Sequence, residues 1–127
     1  MLSFTILALA AAAVYANPLS PRTADLEAAG ALPHSELVAD VTEPTMLACS
    51  SPNCVGCTRW SLQGLGDSNC FFIGSFVSVG IDNPSNVFHV AIDIAPNNCQ
   101  NWLEIPQDNV CFNINGGPFT QYGALDI

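Results

Sequence analysis

Six cysteines constrain this chain more than any other feature, and three of them, Cys49, Cys54 and Cys57, are packed into "CSSPNCVGC". Cys54 and Cys57 form a C-x-x-C, a spacing shared by zinc sites, thiol oxidoreductases and disulfide frameworks. A four-ligand zinc site asks for a second C-x-x-C or a histidine pair. Here Cys70, Cys99 and Cys111 stand far apart and His34 and His89 are isolated, so neither a metal site nor a cofactor is expected. A thioredoxin-like pair asks for a βαβ pattern that the chain lacks. An even set of cysteines in a short chain reads as structural disulfides if the compartment is oxidising.

The first sixteen residues indicate that compartment. "MLSFTILALAAAAVYA" is an apolar run ending in Val14-Tyr15-Ala16, close to a small-residue cleavage site, and Pro18 follows at once. This is the form of a secretory signal, and the run is shorter than the roughly twenty apolar residues that a membrane span needs. Residues 1–16 are therefore expected to be a signal peptide, the chain to be secreted and extracellular, and the mature protein to have no membrane partner.

Residues 17–48 hold five acids, the single base Arg22, no cysteine and no aromatic residue. They read as a flexible acidic arm or a propeptide, with a short helix starting at Thr23 and limited by Gly30 and Pro33, and a further turn in "SELVADV". Residues 49–127 read as the cysteine-stapled domain. Candidate strands are "TRWSLQGL", "CFFIGSFVSVGI", "VFHVAIDIA", "CQNWLEI", "VCFNI" and "FTQYGAL", separated by the turn-forming "DNPSN", "PNN", "PQDN" and "NGGP". The expected fold is mostly β, a small antiparallel sandwich or partly closed barrel.

Folding the two longest strands across "DNPSN" sets Val79 opposite His89, Ser75 opposite Asp93, and Cys70 beside Cys99, which makes Cys70 with Cys99 the preferred bridge. Across "PQDN", Cys111 would face Glu104, roughly 17 Å along the strand from Cys99. Cys111 is thus expected to reach back to the opening cluster, where at least one cysteine pairs outward. In this pairing both faces of the hairpin are apolar, as in a central, doubly covered strand pair.

Catalytic patterns are sparse, and no catalytic residue is assigned. His89 and Asp93 share a strand face about 13 Å apart, beyond direct hydrogen bonding. Gly66-Asp67-Ser68 has the residues of a GDSL-hydrolase nucleophile motif but no downstream Asp-x-x-His. A net charge of -9 excludes nucleic acid and anionic membranes as partners, because both call for clustered cations. Trp60, Trp102 and Tyr122 are the candidate binding residues, able to stack on sugars or to anchor a protein interface.

The alanine-rich leader, the acidic segment, "CSSPNCVGC", a Gly-rich turn, an aromatic β run and a closing "NNC…VC" pattern resemble the small secreted cysteine-rich proteins of filamentous fungi, many of them effector candidates. The shared motifs are cysteine spacings and composition, and no functional residue carries over. The resemblance implies extracellular action on a host, a competitor or a wall polymer. The leading expectation is a monomeric effector-like interaction protein and not an enzyme. A wall or carbohydrate-binding module comes second, with Trp60, Trp102 or Tyr122 exposed in one plane. A small hydrolase or thiol-redox protein comes third. Secreted material should begin at Asn17 and take up no alkylating label without reductant; uptake by two thiols would mark a redox pair instead.

Overall fold

A computed structural model describes residues 24–38, 43–65, 69–84 and 91–125. The signal segment, Asn17 and His89 lie outside these residues, as does the Gly66-Asp67-Ser68 motif. Among the described residues, nine strands form two antiparallel sheets. Sheet A has the order β1 (Asp25–Ala31), β8 (Val110–Asn115), β5 (Ser78–Asp82), β2 (Thr45–Ser51), β3 (Val55–Ser61). Sheet B has the order β4 (Phe71–Phe76), β9 (Phe119–Leu125), β6 (Ala91–Ala95), β7 (Leu103–Glu104). Among the described residues, no helix is long and apolar enough to cross a membrane.

The sheets share one interior. Met46 and Ala48 from β2, Val79 and Ile81 from β5, and Phe112 from β8 meet Phe76, Ile92, Ile94, Phe119 and Tyr122 from sheet B. The molecule is therefore a sandwich of two separate sheets. In the central strands β2, β5 and β6, alternate residues enter this interior, as the period of two requires: Met46 and Ala48, Val79 and Ile81, Ile92 and Ile94.

The stretch read as one long strand, residues 70–81, divides. Residues 71–76 pair with β9 in sheet B, whereas residues 78–82 pair with β2 and β8 in sheet A. Val77 is the crossing point: its N–H donates to the Cys49 carbonyl at 2.9 Å, and its carbonyl accepts from Ile114 N–H at 3.0 Å. Gly74, at φ 87°, lies in the irregular stretch of β4 between Phe72 and Phe76. The hairpin expected across "DNPSN" is thus replaced by a change of sheet, and Ser75 does not face Asp93, whose partners are Glu104 and Gly123. The hairpin expected across "PQDN" is likewise absent, since β7 and β8 belong to different sheets.

The described part of residues 17–48 also differs from a partly helical arm. "DLEAAGA" is the edge strand β1, laddered to β8 from Asp25↔Asn115 to Ala31↔Val110. His34–Glu36 form a single 3-10 turn, and β2 begins at Thr45, ahead of the cysteine cluster. The reason is that a strand needs neither cysteine nor aromatic residue when a neighbouring ladder satisfies its backbone. β1 remains exposed and carries Asp25 and Glu27, charges that suit an unpaired sheet edge.

The outer face of sheet A is covered as well. Leu32, Leu47, Cys49, Cys54 and Cys111 form a second buried cluster there. Cys49 is bonded to Cys57 and Cys54 to Cys111. Asn53, at φ 63°, exchanges two hydrogen bonds with the Asn113 side chain, which seats the β2–β3 turn on β8. Glu36 clips the 3-10 turn to β3: its carboxylate accepts from the Gly56 and Cys57 N–H groups, and its carbonyl accepts from Arg59 at 2.8 Å. Arg59 also pairs with Asp82 at 2.8 Å.

Leu32 covers Gly80 so closely that a β-carbon on Gly80 would overlap its side chain. Gly80→Ala should therefore destabilise the fold, and Leu32→Ala, at a site only 7 % exposed, should cost about 2–5 kcal/mol. In the double variant the overlap with Leu32 is gone and only the tight approach of the Val110 carbonyl, at 3.1 Å, remains, so denaturant melts should show a loss smaller than the sum by about 1 kcal/mol. Additive losses would mean that Leu32 does not sit over Gly80.

Candidate functional site

The outer face of sheet B carries the chemistry. Asp93 alternates with Ile92 and Ile94, both fully buried in the interior, so its side chain points to the opposite face. Its ladder partners on that face are Glu104 on β7 and Gly123 on β9. Gly123 is in a strand, and the missing side chain is what admits its neighbours. The Asn69 carbonyl closes over it, and Trp102 Cη2 lies 3.2 Å from the point that a β-carbon would occupy.

The loop after β6 turns back over this face. Asn98, Cys99 and Asn101 all have positive φ, near 53°, 52° and 59°. Asparagine tolerates the left-handed region, whereas a half-cystine there is strained. The loop is held to β9 and β4 at several points: Cys99 N–H donates to Gln121 Oε1 at 2.9 Å, the Thr120 hydroxyl donates to the Pro96 carbonyl at 2.6 Å, and Cys99 is bonded to Cys70 across β9. The bridge preferred from the sequence is present, but by another route. β4 and β6 flank β9 instead of pairing, and the loop spans the gap.

Between loop and sheet lies a cavity of about 270 Å³, with the Cys70–Cys99 bridge and Trp102 as walls and Asp93, Gly123 and Ala124 at its base. Asp93 is 3 % exposed. Burial raises its pKa above the ordinary aspartate value, and the Glu104 carboxylate beside it adds to the rise. Among the described residues no hydrogen bond or ion pair engages this carboxyl group. Outside the cavity, Phe72 shares the outer face through its pairing with Gln121 and is 72 % exposed.

The three candidate aromatics separate. Trp102 borders the cavity. Tyr122 is buried in the interior, where burial raises its pKa, and its ring lies 6.4 Å from that of Trp60 and 5.1 Å from that of Phe71. Trp60 pairs with the inward-facing Met46, and its indole N–H is buried without an acceptor among the described residues. These two rings close the inside of the sandwich and form no plane with Trp102. The thiols of the C-x-x-C are bonded elsewhere, to Cys49 and Cys111. Among the described residues no group of three or more His, Cys, Asp or Glu side chains is placed to hold a metal.

The sequence reading considered Asp93 only as a partner for Ser75 or His89, and it passed over Gly123 and Phe72. A glycine inside a strand pattern, as in "TQYGAL", marks a close approach of another chain segment, which is the available signal for Gly123. Compared with known proteins, this two-sheet, disulfide-stapled sandwich matches no family model, no curated protein and no solved structure.

An acid whose pKa is raised on folding destabilises the folded state once the pH exceeds its unfolded value, and the whole penalty is present above the raised value. Asp93→Asn should therefore raise the melting temperature at pH 7. The gain should close as the pH falls into and below the ordinary aspartate range. A lower melting temperature at pH 7, or a gain that does not change with pH, would place Asp93 in a satisfied polar contact.

Proposed function

We propose that this chain is a secreted, effector-like interaction protein that engages an extracellular host or competitor target through the outer face of sheet B. The observation that carries the reading is Phe72: a large aromatic side chain, 72 % exposed, on the edge strand β4 and on the same face as the cavity. Aromatic side chains, Phe included, are enriched at protein interfaces, and a solvated ring beside a concave site suits such a contact. The three disulfides agree with life in an oxidising compartment. The apolar leader over residues 1–16 and the resemblance to secreted cysteine-rich fungal proteins support the same reading.

A wall or carbohydrate-binding module is the second reading, supported by Trp102 at the cavity wall. It has less support than a protein interface, because Trp60 and Tyr122 face inward and supply no extended stacking platform. A hydrolase would depend on His89, the only imidazole after residue 48.

Phe72→Asp should leave the melting temperature nearly unchanged, since the ring is exposed, yet abolish activity on the target organism and co-purification of the target. His89→Ala should secrete normally and remain active. A folded but inactive His89→Ala protein would promote the hydrolase, in which loss of a general base costs about 10² or more in turnover. Full activity of Phe72→Asp would remove sheet B as the interface.

A further inference from the structure

We propose that the cavity under the 96–102 loop is a receptor for a single cationic side chain, a lysine ammonium group presented by an extracellular protein partner. The inference rests on the interaction-protein reading and adds the chemistry that the partner must offer.

The size of the cavity fits one side chain. At about 270 Å³ it falls just below the range of roughly 300 Å³ upward found for drug-sized ligands. Its lining is asymmetric: an aromatic wall at Trp102, a disulfide wall, and a carboxyl group at the base. A long apolar stem ending in a positive charge matches that order, with the stem against Trp102 and the charge at Asp93.

The electrostatics select a cation. Asp93 is almost wholly buried, its carboxyl group lacks a hydrogen-bond or ion-pair partner among the described residues, and its neighbour in the ladder is a second carboxylate, Glu104. A buried charge without a partner is costly, and a like charge beside it increases the cost. A neutral sugar would satisfy hydrogen bonds but leave the two negative charges facing each other. An ammonium group relieves both. The chain cannot supply one from its described residues, because Arg59 is their only Arg or Lys and is held by Asp82 on the other sheet. The net charge of -9 draws basic partners toward the whole molecule.

The site is also preformed. Cys99 holds a strained left-handed backbone through its bridge to Cys70, and Gly123, having no side chain, lets Asn69 and the Trp102 ring pack directly on β9. Strain kept at a concave surface is a common mark of a binding site. Phe72, on the same face, offers an apolar contact for the residues flanking the lysine.

Among the described residues, Asp93 is faced by Glu104 from β7 and by no other charged group: β9 presents Gly123, the loop presents Trp102 and Cys99, and the segment before β4 presents Asn69 and Cys70. Binding should therefore strengthen as the pH rises and Asp93 ionises.

The test is an NMR titration of the intact mature protein with Nα-acetyl-lysine methylamide, its neutral isostere Nα-acetyl-norleucine methylamide, glucose and glucosamine. The lysine probe should shift the Gly123 amide and the Trp102 indole signals, weaken with salt, and bind about tenfold less tightly to Asp93→Asn, the loss expected for one charge-assisted contact. Norleucine amide and glucose should leave these signals in place. Equal shifts with norleucine amide, saturation by glucose, or unchanged lysine binding by Asp93→Asn would each overturn the proposal. Stronger binding of glucosamine than of the lysine probe would assign the cavity to an amino-sugar polymer instead of a protein. If Phe72→Asp loses the target while Asp93→Asn keeps it, the cation site is refuted and the interface on sheet B stands.

Discussion

The Cys54–Cys111 bridge is the contact on which the rest of the fold depends. It joins the β2–β3 turn to β8 across the central strand β5, and it lies at the centre of the buried cluster on the outer face of sheet A. Its closed loop is the longest of the three, with a separation of 57 residues against 29 and 8. Chain-entropy reasoning assigns such a loop about 4 kcal/mol, against about 2.5 kcal/mol for the shortest. For a domain this small, that difference is a large share of the total stability. The bridge also fixes the place of segments that hold no cysteine. Leu32 joins the same cluster, so the stretch before β2 is held by apolar contact with a disulfide it does not form.

After the cysteine cluster, strand existence was legible in the sequence and strand pairing was not. "CFFIGSFVSVGI" is apolar at both parities, which is correct for a doubly covered strand but equally correct for two strands that enter different sheets. The pattern cannot tell these apart, because each half buries its own set of alternate residues: Phe76 on one side of Val77, Val79 and Ile81 on the other. Only the ladders settle the division: β4 pairs with β9 in sheet B, whereas β5 pairs with β2 and β8 in sheet A. The segment before the cysteine cluster was obscured for a different reason. Its acids and small residues suit a solvated chain, and they suit an edge strand just as well, since β1 buries almost nothing of its own.

The Cys70–Cys99 bridge shows how a right pair can follow from a different geometry. A hairpin would bring these residues together as neighbours. In the sandwich they come from strands on either side of β9, and the loop after β6 must cross that strand to join them. That crossing is what roofs the cavity, so the site is a consequence of the topology that sequence reasoning missed. The aromatics illustrate the same limit: Trp60, Trp102 and Tyr122 are alike in composition terms, yet ladder parity turns Trp60 and Tyr122 inward, while Trp102, in the loop before β7, lies over Gly123 on the outer face.

Two unfavourable features meet on the outer face of sheet B, a left-handed half-cystine at Cys99 and a buried acid at Asp93. Neither assists folding, and both oppose it by amounts that a small core does not absorb easily. Their coincidence at one cavity has a physical logic. A strained loop that is not cross-linked would relax away from the sheet, hydrate Asp93 and erase the concave surface. The covalent bond to Cys70 opposes that relaxation, so the carboxyl group stays enclosed by loop and sheet and its charge acts strongly on an entering cation. The disulfide is therefore coupled to the site as well as to stability. It keeps Asp93 in an environment that the folded chain would otherwise leave, and the free energy of that environment is available to a ligand that neutralises the charge.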